Sequence, residues 1–323
     1  MGASLVWPLL LAAAVTAAAT PLVRAAALRF GAIDEPGDAR RIHLVAQPRW
    51  GGIAVFLGFT VASLLTVPSI GSNRSFQALL LGGLIILAVG ALDDRRELSP
   101  WHKLFWQVVV AVLVVAFGVG IHFITNPAGG LIQFDRSTVS LFGYSFSLLS
   151  DLLTIFWIVA VINTVNFLDG LDGLATGIGA IAALVIAALS LSPHVGQTDT
   201  AILALALGGA ALGFLPYNFS PARIFLGDSG SMFLGFALAV LAIVSGGKIA
   251  TAVLVLGFPL LDLVWAVVRR SARGVSPFRA DRFHLHHRLI ETGLSQRRAV
   301  LLLYGLSLSY GVLAVFASSR QKL

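Results

Sequence analysis

The sequence predicts an all-α, polytopic membrane bundle of about ten transmembrane helices, on three observations. Of its 323 residues, 57% are hydrophobic and 11% charged, with a mean hydropathy of +0.90, whereas soluble domains carry roughly 25% charged residues. The apolar residues fall into runs close to the length, about 20 residues, that crosses a hydrocarbon core. The basic residues crowd into alternate loops.

Taken in order, the first run, residues 4–26, carries its earliest basic residue, Arg24, at its far end. A signal peptide would have a positive start, so this run is expected to be an uncleaved span with the N-terminus outside. Further runs lie near 51–70, 76–92, 104–124, 146–165, 174–192, 200–216, 230–246, 249–268 and 299–317. Alternation then puts loops 24–50, 93–103, 163–173, 217–229 and 269–298 on one side. They hold five, three, none, one and eight Lys and Arg, or 17 of the chain's 22, so the positive-inside rule makes that side cytoplasmic. The chain reads as a single integral membrane domain, residues 1–323, with both termini outside.

The absence of cysteine excludes disulfides, thiolate catalysis and thiolate-held metals. The net charge of +7 lies mostly beside the membrane, where Lys and Arg meet anionic lipid, so no nucleic-acid partner is expected. No repeat of 20–50 residues is visible, nor the matched pair of broken helices that marks inverted-repeat transporters.

The acidic residues gather on the cytoplasmic side. Asp93 and Asp94 end the third run and Lys103 opens the fourth. Adjacent carboxylates near apolar walls hold a proton or recruit a cation; alternatively they form a solvated pair offset by Arg95 and Arg96. In "NTVNFLDGLDG", Asn163, Asn166, Asp169 and Asp172 recur every third residue. On a helix any three neighbours of such a row share one face, which should turn inward; the plainer alternative is a helix end with capping side chains. "GDSGS" places Asp228 directly before a run, where free N–H groups could meet an anion, or where Asp228 or Ser229 could serve as an N-cap. The last loop carries eight Arg with His284, His286 and His287, a composition suited to phosphate; zinc binding and plain topological charge are the competing readings. Oxygen donors from Asp and Asn select Mg²⁺, with Mn²⁺ as its substitute, and Mg²⁺ takes few protein carboxylates plus substrate phosphates. A phosphate-bearing cytosolic substrate handled at the bilayer surface is the expectation.

At these residues the sequence resembles the polyprenyl-phosphate N-acetylhexosamine-1-phosphate transferase family. The resemblance rests on "DEPGDARRIHLVAQPRWGG", "DDRRELSPWHK", "NTVNFLDGLDGLATG", "ARIFLGDSGSMFLG" and "HLHHRL", five motifs in order. It implies transfer of a sugar 1-phosphate from a UDP-sugar to a membrane polyprenyl phosphate, undecaprenyl or decaprenyl, with Mg²⁺ and release of UMP. It implies that Asp93 and Asp94 are catalytic and that Asp228, with Asn166, binds the metal. Substrate-binding roles fall to Arg41, His43, Arg49, Lys103, Asn163, Asp169, Asp172, Arg282, His284, His286, His287 and Arg288. "HLHH" and the first-loop motif are similar to the GlcNAc-1-phosphate branch, which favours UDP-GlcNAc over UDP-MurNAc-pentapeptide and suggests a first membrane step in envelope glycopolymer synthesis. Within the family's range the oligomeric state stays open, a homodimer included. A cation-coupled transporter would instead spread acids through mid-bilayer, and a lipid-binding scaffold would not need five together.

Overall fold

The computed structural model describes residues 2–35, 46–67, 71–125, 131–135, 138–141, 144–193, 195–245, 256–274 and 285–320. Helix α1 (Gly2–Phe30) leads through a short hairpin, β1 (Ile33–Asp34) with β2 (Gln47–Pro48), into α2 (Gly51–Thr66), α3 (Arg74–Arg96) and α4 (Pro100–Ala116). Two antiparallel hairpins follow, β3 (Phe123–Thr125) with β4 (Leu131–Gln133) and β5 (Thr138–Leu141) with β6 (Tyr144–Ser147). Then come α5 (Leu148–Leu168), α6 (Leu174–Ser190), α7 (Thr198–Asn218), α8 (Gly227–Val244), α9 (Gly257–Ala272), the short α10 (Leu285–Glu291) and α11 (Gln296–Arg320).

Helix α8 is the axis of the bundle. Nearly all its residues are buried, and α2, α3 and α5 surround it. Close approach needs small residues, since helices in lipid associate largely by van der Waals contact. A Cβ on Gly52 of α2 would run into the backbone of Ser229 and Gly230, and one on Gly90 of α3 would lie 2.5 Å from the Asp228 carbonyl oxygen. These glycines therefore bring three backbones together at one end of α8. The outer surface is apolar: Trp7, Leu22, Leu65, Phe156, Leu261 and Phe316 are all exposed, an area a soluble monomer would not leave to water.

The fold is the expected helical membrane bundle, with differences at the ends of elements. Among the described residues six helices are long and apolar enough to span a membrane, and α2, α4 and α6 are shorter apolar helices; the expected count of about ten is not reached there. The second helix stops at Thr66, because Val67 precedes Pro68 and takes an extended conformation. The fourth stops at Ala116 instead of reaching 124: Gly118 adopts a positive φ of 84°, and the chain turns into hairpins that the helical reading omitted. In the ninth expected run, 249–268, residues 249–255 lie outside the described residues, and the helix found there runs from Gly257 to Ala272.

Candidate active site

The described parts of the loops grouped by their charge meet at one end of the bundle. Helix α3 carries Asp93 and Asp94 to its last turn, where Glu97, at a positive φ of 49°, closes it with a backbone hydrogen bond to the Asp93 carbonyl. Helix α4 starts at once, with Ser99 as its N-cap and Pro100 in the first turn. This tight α3–α4 corner lets Lys103 reach back. Its Nζ donates to Asp93 Oδ2 at 3.1 Å and to Asp228 Oδ2 at 2.8 Å. Asp93 Oδ1 also accepts from the Leu98 backbone N–H at 2.6 Å. From α5, Asn166 Nδ2 donates to Asp228 Oδ1 at 3.0 Å and to Ser231 Oγ at 2.9 Å. One ammonium, two carboxylates and an amide thus converge from α3, α4, α5 and α8.

The adjacent aspartates are buried while Arg95 and Arg96 are exposed, which removes the reading of a solvated interfacial pair. They also diverge, since neighbours on a helix are about 100° apart. Asp94 turns to the start of α8: its Oδ1 accepts from the Asp228 N–H at 2.8 Å and its Oδ2 from the Ser229 N–H at 3.1 Å. The expected anion at this helix N-terminus is therefore the protein's own carboxylate. The N-cap reading is corrected too, because neither Asp228 nor Ser229 caps the helix. With its first turn capped from α3, α8 leaves the Asp228 side chain free to face Lys103 and Asn166.

The row read every third residue does not remain one helical face. Helix α5 ends at Leu168, so only Asn163 and Asn166 lie on it. Asn163 points elsewhere, its Nδ2 donating to Gln107 Oε1 at 2.7 Å and to the Val159 carbonyl at 2.8 Å. Asp169 caps α5 beside the start of α8. Burial first, then the Asp228 and Asp94 carboxylates, push its pKa well above the usual carboxylate value, partly offset by Arg49 and the Gly227 backbone N–H. Asp172 accepts from the Ala222 N–H at 3.1 Å and so ties the loop after α5 to the loop before α8.

Arg49 pairs with Asp34 at 3.1 Å. Burial would lower its pKa, but the carboxylates of Asp34, Asp94, Asp228 and Asp169 outweigh that and raise it, which places its charge toward the cluster. Arg41, His43, Arg282 and His284 lie outside the described residues. His286 and His287 are on α10, but their side chains are likewise outside; Arg288 is exposed. Helix α10 is moored to α9, where Asp262 Oδ1 accepts from the Leu285 N–H at 3.1 Å.

Sequence reasoning missed Ser231, Gln107, Asp34 and Gly227. Gln107 had a signal: it follows Lys103 by four residues and so shares its helix face. Ser231 sat unremarked within the same small-residue run as Asp228. Beside the cluster, α4, α5 and α9 part to leave an apolar groove of about 700 Å³, lined by Leu104, Phe156, Ala160, Asn163, Phe167 and Val264 among others. Leu104 follows Lys103, and Asn163 lies one turn from Asn166, so the groove's wall and the charged cluster share helices.

Among the described residues no three His, Asp or Glu form a ready-made metal cage. A cation shared with substrate phosphates needs less. The donors are oxygens of the hard type that Mg²⁺ prefers, and Asp93 and Asp228 already converge on one cationic group, the Lys103 ammonium. The residues fit such an ion.

Comparison with known proteins finds a family model and curated relatives that cover most of the chain. The model of glycosyl transferase family 4 matches residues 76–246, a stretch that includes Asp93, Asp94, Lys103, Asn166 and Asp228. The decaprenyl-phosphate N-acetylglucosaminephosphotransferase of Mycolicibacterium smegmatis is 39% identical over 96% of this chain and 80% of its own length. A probable undecaprenyl-phosphate N-acetylglucosaminyl 1-phosphate transferase of Bacillus subtilis is 34% identical over 93% of this chain and 81% of its own. The undecaprenyl-phosphate alpha-N-acetylglucosaminyl 1-phosphate transferase of Escherichia coli is 29% identical over 91% and 79%.

Proposed function

The chain belongs to glycosyl transferase family 4, and from that premise we propose that it transfers GlcNAc 1-phosphate from UDP-GlcNAc to a membrane polyprenyl phosphate, releasing UMP. The observation that carries this reading is the joining of two unlike environments. The Asp93–Lys103–Asp228–Asn166 cluster suits phosphate chemistry, and the adjacent groove suits a long hydrocarbon chain. The relatives named above act, by their names, on decaprenyl or undecaprenyl phosphate.

In this reaction an oxygen of the lipid phosphate attacks the sugar-linked phosphorus of the donor, and the bond from that phosphorus to the UMP oxygen breaks. Phosphoryl transfer asks the protein chiefly for positioning and charge neutralisation. Lys103 is held by two carboxylates, with its ammonium ready to meet phosphate oxygens. Asp93, fixed by Leu98 and Lys103, orients the acceptor phosphate. That group is already mostly dianionic at neutral pH, its second pKa being near 6, so no strong base is required. Asp228 and Asn166 would hold Mg²⁺, which supplies charge compensation for the diphosphate. Arg49 and the Arg/His loop with Arg282, His284, His286, His287 and Arg288 would bind the donor. The cluster lies on the cytoplasmic side of the cell membrane, where nucleotide sugars are found.

The test is UMP release by the purified protein with polyprenyl phosphate and a donor panel of UDP-GlcNAc, UDP-GalNAc and UDP-MurNAc-pentapeptide. UMP is expected with UDP-GlcNAc foremost; release with no donor sinks the reading. Sidedness can be read separately in this cysteine-free chain. Arg288→Cys should react with an impermeant thiol reagent only after the cytoplasmic side is opened.

A further inference from the structure

Asp93 and Asp94 read alike in sequence, yet their surroundings differ. Asp93 meets an ammonium group. Each oxygen of Asp94 accepts instead from a backbone N–H in the first turn of α8, the helix that carries Asp228. We propose that Asp94 is a positioning residue: it caps α8 from a neighbouring helix, sets the direction of that helix's first turn and thereby aims Asp228, without touching the reacting groups. For its kinetic consequence this rests on the transfer reaction proposed above.

Two further observations converge on the same contact. Gly90, one turn before Asp94 on the same face of α3, is where that helix touches the backbone of Asp228 and Ser229; the approach is built into the packing. Gly227 adopts a positive φ of 73°, and a Cβ there would lie 2.5 and 2.7 Å from the two Asp94 oxygens. A side chain at 227 and a carboxylate at 94 therefore compete for one space, and the sequence fills it from α3. The arrangement has a chemical logic. A residue capping its own helix turns its side chain back onto the N–H groups, and Asp228 would be spent in doing so. Capping from α3 satisfies those N–H groups and leaves Asp228 facing Lys103 and Asn166.

If this is the role of Asp94, the cap can be moved. Asn is among the few residues other than glycine that accept a positive φ, and it is a good N-cap. In an Asp94→Ala background the vacated space can take Asn at 227. The experiment compares wild type, Asp94→Ala, Gly227→Asn and the double variant, reading kcat, the donor KM and the thermal midpoint of each. Asp94→Ala should lower kcat about 100-fold, the scale on which an ångström of misplacement acts, with the donor KM unchanged. Gly227→Asn alone should also fail, because its side chain meets Asp94. The double variant should recover at least about tenfold of the lost kcat, and the lost thermal midpoint with it.

A double variant that folds but stays as slow as Asp94→Ala would overturn the proposal and place Asp94 on the reacting groups. So would one that regains neither fold nor rate. If Asp94→Ala itself does not fold and the double variant does, the cap is supported directly. Wild-type protein is the control that separates the two readings. Without UMP release from it the proposed reaction fails, while the thermal midpoints still report on the cap.

Discussion

The two flanks of α5 are built on opposite principles. Toward α8 the helices meet nearly backbone to backbone, α5 itself against Gly235 and, around the same helix, α2 through Gly52 and α3 through Gly90, and every charged group in the cluster has a partner at hydrogen-bond distance. Toward α4 and α9 the helices stand apart around the groove, and its lining residues Phe156 and Val264 are 72% and 56% exposed. Phosphoryl transfer needs fixed charges to within a fraction of an ångström, whereas a polyprenyl chain needs only apolar walls and room to enter. Rigid packing is concentrated where geometry matters and withheld where it would obstruct.

The largest effect should come from the tight flank. Asp228→Ala removes the carboxylate shared by Lys103 and Asn166 and is expected to lower kcat by about 10³-fold or more, at the upper end of what losing one preorganised electrostatic contact costs. Steady-state UMP release would show it, and retained activity would remove Asp228 from the site. On the loose flank, Ala160→Phe narrows the groove. It should raise the acceptor KM several-fold and leave the donor KM alone, with a stability change within about 0.5 kcal/mol. If this variant instead destabilised the protein as a core overpacking does, by about 1–3 kcal/mol, the contrast between the flanks would be lost.

The smallest effect is a pH dependence of stability. The folded protein raises the pKa of Asp169 above its ordinary value of 3.8, so the native state holds this proton longer than the unfolded chain does. The contribution of Asp169 is then most favourable below that value and is lost as pH rises from 3.8 through the folded pKa. Asp169→Asn cannot ionise. Its thermal midpoint should fall less than that of wild type across this window, and parallel curves would show that Asp169 carries none of the dependence.

How much of this was legible in the sequence depends on the range of the interaction. Apolar runs set the helices, and the loop charges sorted Asp93, Lys103, Asn166 and Asp228 to one side, because both signals are local. The division of labour between Asp93 and Asp94 was not legible. It depends on the contact between Gly90 and a turn more than a hundred residues further on, and a one-residue step along α3 sends the second carboxylate there. The row from Asn163 to Asp172 misled for a related reason. Spacing by three assumes a continuous helix, but the chain leaves the helix at Asp169, and Gln107 on α4 draws Asn163 away. The hairpins after α4 escaped notice because their apolar residues continued the hydrophobic run, although Gly118 and Gly120 interrupt it.

The sideways opening of the groove has a kinetic meaning. Phe156 and Val264 are exposed where the bundle faces lipid, so the proposed acceptor enters from within the membrane and not from solution. Its working concentration is then a mole fraction of the surrounding amphiphile, a two-dimensional quantity independent of assay volume. Surface dilution follows: at constant total polyprenyl phosphate, added inert detergent should slow the enzyme, whereas added buffer should act only through the soluble donor.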